Sequence, residues 1–211
     1  MRNKQSGFTL VEIAIVLVII GLLLGGVLKG QELITQAKIK NVSNDLNGIV
    51  AAVYSYQDRY KRLPGDDPGA TRWPLITAPG GNGDNVIGGS YASTNDADES
   101  RLFWGEMRLS GFVAGQTDTL AHANAQPLNA AGGIMGVQSG GMGLSGTIVC
   151  SGSLPAKIAQ ALDSQMDDGN AKTGTVRALL ETTPPTSVDT TAPTTDYIDN
   201  GTNLYVLCKN I

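Results

Sequence analysis

The sequence predicts an α+β protein: a long N-terminal helix, apolar in its first half and amphipathic in its second, packed on a small head with an antiparallel sheet. Three observations lead there. Residues 8–28 are almost wholly apolar. Val42, Leu46, Ile49, Val53, Tyr56 and Tyr60 then recur at alternating intervals of four and three, which places them on one helical face. Further along, residues 147–150, 175–180 and 203–209 are short apolar runs of strand type.

Taken in order, residues 1–7 are short and polar, with Arg2 and Lys4 as their charges. The run that follows is long enough as a helix to span about 30 Å, the hydrocarbon thickness of a bilayer. Basic residues ahead of the span predict a cytoplasmic N-terminus. Lys29, Lys38 and Lys40 after it weaken that bias. A secretory signal carries its small-residue cleavage site after the apolar core. Here the best small residue, Gly7, stands before the core, so a cut there leaves the anchor attached. One residue interrupts the pattern. Glu12 lies inside the apolar run, where an acidic side chain is costly and needs a partner.

From residue 29 to 62 the helical spacing continues, with Lys38, Lys40, Asn44, Asp45 and Asp58 largely off the apolar stripe. One helix over residues 9–62 is the simplest reading. Gly21, Gly25, Gly26 and Gly30 weaken its middle. Leu63-Pro64-Gly65-Asp66-Asp67-Pro68 ends it, since proline lacks an amide donor and disfavours helix in the residue before it.

Residues 63–211 form the head. Residues 64–97 and 112–145 are rich in small and turn-forming residues and read as irregular. Residues 98–111 read as a helix stopped by Gly111. A second helix is expected from Ser153-Leu154-Pro155, with Ser153 as its cap. Residues 182–195, rich in threonine and proline, read as a solvated loop.

The chemistry of the chain is sparse. Fifteen basic and 19 acidic residues give a net charge of −4, which offers nothing to a nucleic-acid polyanion. His122 is the sole histidine and has no nucleophile motif beside it, so no enzyme site is expected. Trp73 and Trp104 read as core residues or fold anchors. Asp66-Asp67 and Asp163 with Asp167-Asp168 supply oxygen ligands of the kind calcium takes, but their spacing fits no EF-hand loop. Turn-bracing is the expected role, and no cofactor is expected. The two cysteines, Cys150 and Cys208, sit in strand-like stretches. Two readings stand: a disulfide in an exported head, stabilising by about 4 kcal/mol through loop closure, or two buried thiols. The strand-like flanks favour the disulfide.

Gly7-Phe8-Thr9-Leu10-Val11-Glu12 resembles the type IV prepilin cleavage and methylation motif, shared by type IV pilins and type II secretion pseudopilins. The resemblance implies a leader of residues 1–7 cut off after Gly7 by a prepilin peptidase and N-methyltransferase, with Phe8 methylated. It implies that Glu12 meets the free amine of a neighbouring subunit during assembly. It further implies a single-pass inner-membrane precursor with a periplasmic head. Lipid and an assembly platform are its early partners, and copies of itself in an extracellular filament or periplasmic pseudopilus its later ones. Four head segments, residues 60–68, 99–104, 154–159 and 167–169, are similar to stretches in a branch of Gram-negative prepilin-like proteins. A structural filament subunit is the function so implied. The alternatives are a pseudopilin or minor tip pilin and, from another class, a membrane-anchored periplasmic enzyme.

Overall fold

The computed structural model describes residues 9–77 and 80–211. The chain divides into two units, Met1–Lys38 and Ile39–Ile211. Helix α1, Leu10–Tyr60, is continuous through all four of the glycines expected to weaken it. In the first unit its side chains are almost all exposed, including Leu10, Ile13, Leu17, Leu22, Leu24 and Leu28.

In the second unit the helix buries one stripe: Ile39, Val42, Leu46, Ile49, Val53 and Tyr56. Each fully buried aliphatic side chain there contributes roughly 1.5–3 kcal/mol relative to exposure. The stripe shares a core with α2, Glu99–Leu109, and α4, Ala156–Met166, through Phe103, Trp104, Met107, Ile158 and Leu162. A 3₁₀ turn, Ala70–Arg72, and a short α3, Leu120–Asn124, complete the helices. Helix α2 ends as its sequence demands. Gly111 takes φ 83, Phe112 N donates to Met107 O and Gly111 N to Arg108 O, which is a Schellman cap.

Four strands form one antiparallel sheet in the order β1-β2-β4-β3: β1 Met135–Gly141, β2 Leu144–Pro155, β3 Val176–Glu181 and β4 Leu204–Asn210. Met142 and Gly143, with φ of 53 and 72, make the two-residue turn between β1 and β2. Alternation along the strands separates two cores. Met135, Val137, Val149, Val176, Tyr205 and Leu207 face the helices. Ile148, Cys150, Val206 and Cys208 face the other way and are covered by Tyr91, Met142, Leu144 and Val188.

Three expectations need correction. Ser153 does not cap a helix: it lies within β2 at φ 54, where the β2–β4 register shifts between Ser151 and Leu154, and α4 starts only after Pro155. Residues 112–145 are not wholly irregular, since they contain α3 and β1. Residues 182–195 are more than a solvated loop. Val188 is buried, Gln138 Nε2 donates to its carbonyl at 3.0 Å, and the Met142 and Gly143 amides donate to Asp189 O and Thr190 O. The segment therefore roofs the second core, although most of its threonines remain exposed.

Candidate functional site

The first turn of α1 carries the chain's most informative geometry. A helix N-terminus leaves its first amide groups without intrahelical acceptors. Thr9 and Glu12 resolve this reciprocally. Glu12 Oε2 accepts from Thr9 N and from Thr9 Oγ1, each at 2.8 Å, and Glu12 N donates to Thr9 Oγ1 at 3.3 Å. This is a capping box, a Thr and a Glu three residues apart just ahead of an apolar run. The carboxylate also lies where the helix dipole favours negative charge. The sequence analysis gives Glu12 a place in the apolar run and an expected role in assembly but no capping role, although the Thr-x-x-Glu spacing is the signal for the cap. Gly7 and Phe8 lie outside the described residues.

Beyond Glu12, residues 13–28 hold no charge and expose a run of Ile, Val and Leu. The helix is long and apolar enough, by length and composition, to cross a membrane. The arrangement is thus one carboxylate fixed at the head of an apolar rod. Chemically it offers a fixed anion at the start of an uncharged apolar stretch.

The other acidic candidates are engaged within the head. Asp66 and Asp67 are buried. Asp66 accepts from Gly83 N at 2.5 Å and Asn85 N at 2.6 Å, pinning the loop over residues 83–85. Asp67 accepts from Tyr56 Oη, Gly69 N and Arg72, the last at 2.7 Å. Its burial would raise its pKa, but these donors, Arg72 foremost, together hold it below the usual carboxylate range. Glu106, which sequence reasoning did not single out, completes this network from α2. It lies 3.1 Å from Tyr56 Oη and accepts from Gly65 N at 2.7 Å, and burial pushes its pKa up to about 9.

Asp163, Asp167 and Asp168 do come together, with one oxygen of each within 4.8 Å of the others. Each also braces the turn after α4. Asp163 accepts from Gly169 N and Tyr197 Oη, Asp167 from the Thr175 and Val176 amides, and Asp168 from Asn170 N and Thr173 Oγ1. His122 is exposed and its Nδ1 lies 2.8 Å from Asp118. Trp104 is fully buried, and Trp73 packs edge-on to Tyr60, with the Arg72 guanidinium over both rings. Cys150 and Cys208 form a disulfide between directly opposed residues of β2 and β4.

No curated protein and no solved structure matches the chain. The prokaryotic N-terminal methylation motif matches residues 2–28. That span contains the Thr9–Glu12 box and the apolar helix behind it, and the two together fit a membrane-anchored protein. With this motif at its N-terminus, the chain carries the prepilin signature of type IV pilins and pseudopilins.

Proposed function

We propose that this chain is the structural subunit of a type IV pilus-like filament. It is made as an inner-membrane precursor with a cytoplasmic N-terminus, cut after Gly7, methylated on Phe8 and assembled through its N-terminal helix. The observation that carries this reading is the single carboxylate of Glu12, fixed by Thr9 at the start of the uncharged, exposed apolar stretch of residues 13–28. An exposed apolar surface of this length requires lipid or other helices around it. A carboxylate in such surroundings requires a cation, and cutting after Gly7 generates one four residues earlier in the sequence. Apolar packing between parallel helices supplies most of the cohesion, and the Glu12–amine contact sets register.

In this reading the head holds no catalytic centre and presents the outer surface. The Asp163–Asp167–Asp168 cluster braces a turn and binds no calcium.

Intact-mass measurement of the protein from sheared surface filaments and from membranes of the same cells tests the proposal. The expected species in filaments lacks residues 1–7, carries one methyl group and is abundant. A processed species confined to membranes would assign the chain to a pseudopilus or a filament tip instead. An unprocessed chain in both fractions would overturn the proposal.

A further inference from the structure

The sequence contains three Asn-Gly pairs, Asn47-Gly48, Asn82-Gly83 and Asn200-Gly201. Such pairs share a specific reactivity. The glycine amide nitrogen attacks the asparagine side-chain carbon, and the absence of a Cβ on glycine leaves that approach open. The three sites sit in very different surroundings.

Asn47 is inside α1, where the Gly48 amide belongs to the helical ladder and the Asn47 amide oxygen accepts from Lys209 Nζ at 2.9 Å. The Asn82-Gly83 link is pinned from within. Gly83 N donates at 2.5 Å to Asp66, whose side chain is buried and which also holds Asn85 N. Rotating this link towards a five-membered ring breaks buried, charge-assisted bonds. The Asn200-Gly201 link is exposed on both residues, and Gly201 has φ 81 with no neighbouring atom where a Cβ would stand.

Around Asn200 the polar groups converge on the reacting atoms. Its Oδ1 accepts from three donors: Thr202 N at 3.0 Å, Thr202 Oγ1 at 3.1 Å and Asn203 N at 2.8 Å. Charge develops on that oxygen when the glycine nitrogen adds to the side-chain carbon, so these donors stabilise the addition as an oxyanion hole does. The Gly201 amide itself donates to the exposed Asp199 carboxylate at 3.3 Å, which places a base on the proton that must leave. Nucleophile and electrophile belong to one short turn and need no encounter.

We propose that Asn200 is a self-modifying site: the turn Asp199-Asn200-Gly201-Thr202 promotes its own deamidation in the folded protein. The Gly201 nitrogen bonds to Asn200 Cγ, and its proton passes through Asp199 to the departing amide nitrogen. The Cγ–Nδ2 bond breaks and ammonia leaves. Water then opens the cyclic imide at either carbonyl, giving aspartate or isoaspartate at position 200, with no change of oxidation state. The product adds a negative charge to the head surface. In the isoaspartyl form it also adds a methylene to the backbone that leads into β4, the strand holding Cys208.

The experiment ages the full-length chain in detergent at mildly alkaline pH and maps its peptides by mass spectrometry, with an isoaspartate assay alongside. Native protein is expected to convert Asn200 while Asn47 and Asn82 stay intact, and the urea-unfolded, reduced chain to convert all three. Asp199→Asn keeps an acceptor for the Gly201 amide but removes the base, and Thr202→Val removes one oxyanion donor. Each is expected to slow Asn200 conversion severalfold with an unchanged melting temperature, short of the roughly hundredfold of a desolvated base because the turn is wet. Asn200 remaining intact in native protein while it converts in the unfolded chain would overturn the proposal. So would conversion at the wild-type rate in both variants, which would leave exposure alone as the cause.

Discussion

The Tyr56 hydroxyl of α1 lies 3.1 Å from the Glu106 carboxylate of α2, with both side chains fully buried. The same hydroxyl lies 2.8 Å from Asp67. A phenol has a single proton to donate. Asp67, paired with Arg72, accepts from the phenol at the shorter distance, and Glu106 is left with the longer contact and the Gly65 amide. Two buried carboxyl groups thus share one phenol, and burial pushes the Glu106 pKa up.

Stability follows from the sign of that shift. The groups facing Glu106 are Tyr56 on α1 and Gly65, Asp67 and Arg72 in the segment after it. Its ordinary pKa of 4.5 is pushed up to about 9 in the fold, mainly by burial. Below the ordinary value both states are protonated and the site costs nothing. As pH rises between the two values, the unfolded chain ionises Glu106 while the folded chain keeps its proton, so stability declines across that window. Glu106→Gln supplies a neutral donor and acceptor at every pH. We expect it to raise the melting temperature at pH 7–8 by an amount corresponding to a few kcal/mol, with the gain fading towards pH 4. Thermal melts of full-length wild type and variant across this range check it. A variant that destabilises equally at every pH would mean that Glu106 is ionised in the fold.

The staple between β2 and β4 gives a second prediction. Cys150 and Cys208 are fully buried and close a loop of 58 residues in sequence separation that contains α4, β3 and the threonine-rich segment. Chain-entropy loss in the unfolded state makes such a link worth about 4 kcal/mol. Replacing both cysteines by alanine is expected to lower stability by about that amount, read as a shift in a urea melt. An unchanged midpoint would show that the strand pairing holds the loop without help.

How far these features were legible depends on what kind of signal each sends along the chain. The α1 stripe announces itself because burial on one face leaves a periodic record, and β4 because burial on both faces leaves a continuous apolar run. Strand β1, Met-Gly-Val-Gln-Ser-Gly-Gly, leaves almost none, since its glycines and polar residues fill positions that the loops above it cover. Its Gly136 stands against the Tyr91 backbone, where no larger residue fits. Ser153 misled because a capping serine and a serine in a strand irregularity look alike in sequence. Glu106 was invisible: an acid in a short amphipathic helix reads as surface, and its burial depends on Tyr56 and Gly65, which lie 50 and 41 residues away. The Glu12 site was half legible. Its place in the apolar run was plain, but its bond to Thr9 belongs to a different pattern over the same residues.

The acidic turn after α4 yields a third expectation. The oxygens of Asp163 are occupied by Gly169 N and Tyr197 Oη, and the bonds of Asp167 and Asp168 tie residues 170–176 together. Calcium binding would exchange these bonds for metal ones. Adding millimolar calcium or a chelator to the full-length chain is therefore expected to leave the melting temperature where it was. A calcium-dependent rise would reassign the cluster as a metal site.

The last prediction separates the two tasks assigned to Glu12. As a cap, its side chain needs only an acceptor for the Thr9 amide and hydroxyl. As the partner of a neighbouring subunit's amine it needs a charge. Glu12→Gln keeps an acceptor oxygen and removes the charge, whereas Glu12→Val removes both. Thr9→Val leaves the charge and removes the hydroxyl, at a cost of about 1 kcal/mol to the helix end. If charge pairing sets register, membrane insertion and cleavage after Gly7 proceed in all three variants. Filaments are then lost in Glu12→Gln and Glu12→Val but persist, reduced, in Thr9→Val. Electron microscopy of sheared material, with immunoblots of the processed form in membranes, reads both steps. Normal filaments from Glu12→Gln would reduce the residue to a helix cap, because an amide preserves the hydrogen bonds to Thr9 while offering an incoming amine no counter-charge.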